Sequence, residues 1–173
     1  MQTSKPINTK STGLDNDNCP MTALRLRTAA AHRAVEKTFL ISKLISQDLT
    51  HNNYIDILCG WQQWLVCNEH TICNQLGNLA PSDIAQRNKL VLVEKDLAQL
   101  EVSAARPVSY ELIPLNLDNA YEAIGALYVL EGATLGGQII LKRLQSQLEP
   151  KLSHYFYSAY QANTQHMWSV FGQ

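Results

Sequence analysis

At 173 residues, with 46% hydrophobic and 17% charged residues, the chain is long enough for one domain around a single core. A formal net charge of −1 with both signs interspersed leaves no extended basic face, which argues against nucleic acid and an anionic membrane as partners. Cys19, Cys59, Cys67 and Cys73 form no C-x-x-C pair, and Cys59 and Cys67 fall within an apolar helical pattern, so the thiols are read as reduced and structural. No apolar run is expected to reach the ~18 residues needed to cross a bilayer, and the polar N-terminus lacks the apolar core of a secretory signal. The expected compartment is the cytoplasm.

Residues 1–20 are rich in Asn, Asp, Ser, Thr and Lys and are expected to form a disordered polar tail, leaving 21–173 as a single helical domain. A first helix is predicted from Thr22 to about Leu40, with Leu24, Thr28, Ala31, Val35 and Phe39 on one stripe. A second follows from about Asn52 to Leu76, with Thr50 as N-cap and Tyr54, Ile57, Leu58, Trp61, Leu65 and Ile72 at three- and four-residue steps. Pro81 and Ser82 open a third through about Leu100, and Val102 to Leu117, carrying Pro107 and Pro114, reads as an irregular connection. A fourth helix is expected from near Asp118 to about Leu148, where Pro150 stops it, and a final aromatic one from about Leu152 to the C-terminus. No strand pattern persists, so the fold class is all-α.

Two constellations carry chemistry. Arg25, Ala29, His32 and Glu36 line one stripe of the first helix beside its apolar stripe. A neutral imidazole is a good metal ligand, and a carboxylate one turn later can engage its other ring nitrogen. Small residues at Ala29, Ala30 and Ala31 let a flat, wide ligand approach the backbone. The same spacing is more often surface electrostatics, and alanine is also simply the best helix former. The second constellation is Gly125, Gly132, Gly136 and Gly137 in one helix. Each interior glycine costs about 0.5–1 kcal/mol relative to alanine. Either close helix packing or direct approach of a ligand to the backbone, with a kink that opens and closes over it, offsets that cost.

The run T-A-A-A-H-R-A-V-E around His32, together with Y-V-L-E-G-A-T-L-G-G-Q from Tyr128 to Gln138, resembles the haem oxygenase family, most closely its bacterial, bacteriophytochrome-associated branch. The resemblance extends from about Thr22 to Phe171. It implies a single-domain multihelical bundle with haem between a proximal helix and a kinked, glycine-rich distal helix. His32 falls on the position of the iron ligand and Glu36 on the acidic residue one turn later. Gly132, Gly136 and Gly137 fall on the distal glycines whose backbone faces the haem. Arg25 is the implied partner of a haem propionate, and Tyr128, Trp168 and Phe171 are implied to line the pocket beside Ala29. The implied reaction converts haem, with O2 and electrons, into biliverdin, carbon monoxide and iron, haem being both cofactor and substrate. No dinucleotide fingerprint is present, so a separate ferredoxin or reductase supplies the electrons.

Two positions depart from the family pattern. Many relatives place an aspartate directly after the first distal glycine, where this chain has Ala133, which leaves proton delivery to Glu131 or to backbone-held water. Relatives usually continue past the aromatic segment, and this sequence ends at Gln173. Both departures support an alternative, a non-catalytic haem-binding or haem-trafficking protein. A carboxylate-bridged di-iron centre would need Glu-x-x-His pairs on facing helices, and a thiamin-degrading enzyme of similar fold a nucleophilic cysteine. Glu69 and His70 are adjacent, and His51, His154 and His166 have no partner at ligand spacing. A helical interaction module, with glycines serving packing alone, would bind no cofactor.

Overall fold

The computed structural model describes residues 20–102, 112–148 and 154–172; the expected tail, the middle of the Val102–Leu117 connection and the start of the last predicted helix lie outside them. Among the described residues the fold is all-α, with six α-helices and no strand. These are α1 (Pro20–Glu36), α2 (Phe39–Ile45), α3 (His51–Leu76), α4 (Leu90–Gln99), α5 (Ala120–Gln147) and α6 (Thr164–Phe171).

α3 is the central element and packs against α2, α4 and α5. Thr50 caps it as expected: its hydroxyl accepts from the Asn53 N–H, and the Asn53 side chain accepts from the Thr50 N–H in return. Its inner face supplies Tyr54, Leu58, Cys59, Leu65, Ile72 and Leu76, which meet Leu44 of α2, Val93 and Leu97 of α4, and Ala123, Leu127, Leu130 and Leu144 of α5. Cys59 thus behaves as a core hydrophobe, whereas Cys67 lies at the surface.

Three predicted helices change shape. The first divides at Lys37–Thr38, where Thr38 turns extended (φ −66°, ψ 151°) and its hydroxyl donates to the Val35 carbonyl at 2.7 Å. The short α2 can then bend back and bury Leu44. The third begins only at Leu90, because residues 84–87 form a tight 3-10 turn that carries Arg87 inward, and the buried Glu69 carboxylate of α3 accepts from the N–H groups of Lys89 and Leu90, capping α4 from outside its own sequence. The last is helical only in α6: His154 (φ 45°) and Gln161 (φ 48°) adopt left-handed backbone that a helix cannot contain, so residues 155–160 are turns. Asn119, rather than Asp118, caps α5 by accepting from the N–H groups of Tyr121 and Glu122.

One further expectation is corrected by α5, which is long and apolar enough to cross a membrane by length and composition. Ala, Gly, Leu, Ile and Val occupy both of its sides, one turned to the core and the other to the glycine stripe described below.

The turn at residues 155–160 is pinned by Asp96 of α4, whose buried carboxylate accepts from the N–H groups of Tyr155 (2.7 Å) and Phe156 (2.9 Å). Burial, outweighing those two donors, pushes this carboxyl up to about 6. A folded-state value above the unfolded one means the folded chain holds the proton more tightly, so this group's contribution falls as pH rises from about 4 to about 6 and is flat above. Asp96→Asn is expected to remove that pH dependence, as read by urea unfolding at pH 4, 5, 6 and 7; an unchanged slope would show that Asp96 titrates normally.

Candidate functional site

α5 has two unlike sides. Ala123, Leu127, Leu130, Thr134 and Leu144 face the core, while Tyr121, Val129 and Ile139 are 78%, 55% and 67% exposed on the opposite stripe. At 3.6 residues per turn, Gly125, Gly132 and Gly136 fall on that exposed stripe. Among the described residues, a Cβ added at Gly125 or Gly136 would meet nothing within 4 Å, and one at Gly132 would meet the Trp168 ring at 4.0 Å. Gly137 stands apart from these three. It lies about 140° around the helix from Gly132, and a Cβ there would stand 3.1 Å from the Tyr157 carbonyl oxygen. Gly137 therefore serves close packing, while the other three leave a strip of backbone that, among the described residues, only Trp168 approaches.

The distinction is measurable. Gly136→Ala should raise stability by about 0.5–1 kcal/mol, since it gains helix propensity and meets no atom. Gly137→Ala should lower it by about 1–3 kcal/mol through overpacking against backbone. Urea unfolding of the two variants decides; equal shifts of the same sign would mean that the two glycines do not occupy different surroundings.

α1 packs on α2, and at its start the Met21 side chain lies against Gly172. Strong helix formers (Arg, Leu, Ala and Glu) hold it together with little burial. Its apolar stripe is not absorbed into the core: Val35 is 54% exposed and, just beyond the helix, Phe39 is 67% exposed. On the adjoining stripe Arg25 is exposed, Ala29 is half-buried, and the His32 side chain is 74% exposed. His32 Nδ1 lies 3.2 Å from Glu36 Oε1. In the Nδ1–H tautomer the ring donates to that carboxylate, which leaves the Nε2 lone pair open as a metal ligand.

Aromatics wall the middle of the glycine stripe, between Gly125 and Gly136. Trp168 of α6 sits over Gly132, with its ring centroid 5.5 Å from Tyr128 and 6.0 Å from Phe171. The structure thus gathers Gly132, Tyr128 and Phe171 around Trp168, and pairs His32 with Glu36 on α1.

Behind the stripe lies a buried charge cluster that sequence reasoning missed. Glu131 is 2% exposed, and its carboxylate accepts from Arg87 Nη1 (2.7 Å), Lys89 Nζ (2.8 Å) and Tyr160 Oη (2.8 Å). Arg87 also forks onto Asp83, donating from Nε and Nη2 at 2.7 Å each. Burial pushes the Lys89 ammonium down and the neighbouring Glu131 pushes it back up, while burial and then Glu131 hold the Tyr160 phenol above its ordinary range, so that it stays a donor. The acceptor capacity of Glu131, expected as one of the groups delivering protons, is committed here to two cations and a phenol. The available signal was an acid, Glu131, in the middle of the apolar run of α5 from Ala123 to Leu141, and two cations, Arg87 and Lys89, just before α4. Among the described residues no three His, Cys, Asp or Glu side chains converge as metal ligands, whereas iron carried in a macrocycle needs only one.

Searches among curated proteins and among solved structures give no match. The haem oxygenase family model matches residues 20–173, a span that takes in α1 with His32, the glycine helix α5 and the aromatic α6. That span covers nearly the whole chain and every helix of the fold, and the chain accordingly belongs to the haem oxygenase family.

Proposed function

We propose that this chain binds haem between His32 of α1 and the glycine stripe of α5 and degrades it oxidatively. The observation that carries this reading is the open stripe itself: among the described residues a Cβ at Gly125 or Gly136 would meet nothing within 4 Å, on a helix side that otherwise exposes Tyr121, Val129 and Ile139. A broad apolar plane fits such a surface, and glycines kept there against helix propensity are unexplained by packing. When bound, haem is the substrate that O2 and electrons from a ferredoxin or reductase convert to biliverdin, carbon monoxide and iron.

Each residue has a defined part. His32 Nε2 ligates the iron, and Glu36 Oε1 holds the proton on Nδ1, which fixes the tautomer and the ring orientation. Arg25, exposed on the same stripe, reaches a propionate. Gly132 and Gly136 let the plane approach the α5 backbone and exclude bulk water, and Tyr128, Trp168 and Phe171 bound one edge. Ala133 carries no titratable group and Glu131 is engaged elsewhere, so protons arrive through water held on backbone carbonyls of the stripe. The free thiols Cys59, Cys67 and Cys73 suit a reducing cytoplasm.

Ala133 and the sequestered Glu131 also favour a second reading, a haem carrier without turnover. Haemin added to the purified protein, followed by reductant, air and catalase, separates the two. The enzyme predicts a Soret band that decays as biliverdin absorbance grows; a Soret band stable to turnover selects the carrier, and no band at all removes both.

A further inference from the structure

Glu131 immediately precedes Gly132, and Met167 immediately precedes Trp168; one guanidinium joins them. Arg87 Nη1 donates to Glu131 Oε2 at 2.7 Å, and Nη2 donates to the Met167 carbonyl at 3.2 Å as well as to Asp83. The guanidinium carbon also lies 5.5 Å from the centroid of the Phe171 ring. The Arg87 side chain is 0% exposed and that of Glu131 1%. By contrast α6 has eight residues, of which only Thr164 is buried, and a helix so short has little stability of its own. Its other polar tie to α5 is the hydrogen bond from Gln138 Nε2 to Thr164 Oγ1 at 3.2 Å, a full turn away from Trp168.

We propose that Arg87, working through Glu131 and the Met167 carbonyl, is a positioning residue that holds the Trp168 indole over Gly132 and so fixes where the open glycine stripe of α5 is interrupted, between Gly125 and Gly136. Among the described residues nothing else lies within 4 Å of a Cβ built on Gly125, Gly132 or Gly136, so the indole is the stop that limits how far a planar ligand lying on Gly136 slides toward Gly125. This second step rests on the haem reading; the positioning itself belongs to the chain without ligand.

The test labels the unmodified, ligand-free protein with 5-fluorotryptophan, which gives one fluorine signal each for Trp61, Trp64 and Trp168, the last assigned by Trp168→Phe. A held indole predicts a single sharp Trp168 signal; a split or exchange-broadened one in the unmodified chain overturns the proposal whether or not any variant folds. Arg87→Lys keeps the charge but loses the planar fork. It should shift and broaden the Trp168 signal while Trp61 and Trp64, on α3, stay in place as the record of an intact core. A folded Arg87→Lys protein with an unmoved Trp168 signal also overturns it. Haemin added to the unmodified chain should then broaden Trp168 more than Trp61 or Trp64. A Trp168 signal that responds to Arg87→Lys but not to haemin would leave the positioning standing and remove the stop.

Discussion

Glu131→Ala is expected to lower stability by about 3–5 kcal/mol, because it leaves two buried cations without their carboxylate. Arg87 and Lys89 are 2% and 0% exposed, and Tyr160 loses its acceptor in the same step. Lys89 keeps only the Arg87 carbonyl and the Tyr160 hydroxyl as partners, neither of which neutralises it. Arg87 retains Asp83, so the larger share of the loss is expected to come from Lys89. Replacing the group together, with Arg87→Met, Lys89→Leu and Glu131→Leu, should recover much of the loss, since an apolar set of similar volume leaves no charge to desolvate. Urea unfolding of the single and triple variants gives the comparison; a triple variant no more stable than Glu131→Ala would mean that the cost arises from shape rather than charge.

Gly136→Leu is expected to leave the fold intact and to weaken haemin binding by a factor of about ten to a hundred, the equivalent of about 1–3 kcal/mol of overpacking at the ligand surface. Among the described residues a Cβ at Gly136 meets nothing within 4 Å, and the position is exposed, so the ligand-free chain is expected to accept the side chain. With ligand present, a branched side chain stands where the plane must approach the helix. Equal haemin affinity in Gly136→Leu and the unmodified chain, by Soret titration, would place haem away from this face of α5.

The sequence made the long elements plain and the tertiary ones obscure. α3 and its Thr50 cap follow from local pattern, because capping chemistry and a three-to-four-residue apolar step are both short-range properties. The start of α4 does not, since its cap is Glu69, some twenty residues earlier on another helix, and the turn before it is drawn inward by Glu131 on a third. Within the glycine run, helical periodicity already separates Gly137 from Gly132 and Gly136, while matching the motif as a block groups all three. The stripe of α1 was legible as a pattern: Leu24, Thr28, Ala31 and Val35 do share a side. What pattern alone leaves open is whether a neighbour covers it, and here Val35 and the adjoining His32 have no such cover. That uncovered surface is where periodicity and packing part company.

Optical titration of the unmodified protein with haemin, run beside His32→Ala, tests most directly whether α1 supplies the iron ligand. Binding by His32 predicts a sharp Soret band that saturates at one haem per chain, that collapses in His32→Ala, and that free imidazole partly restores by refilling the vacated position. Matching spectra and affinities for the two proteins would contradict the account, since haem would then be held by some other group.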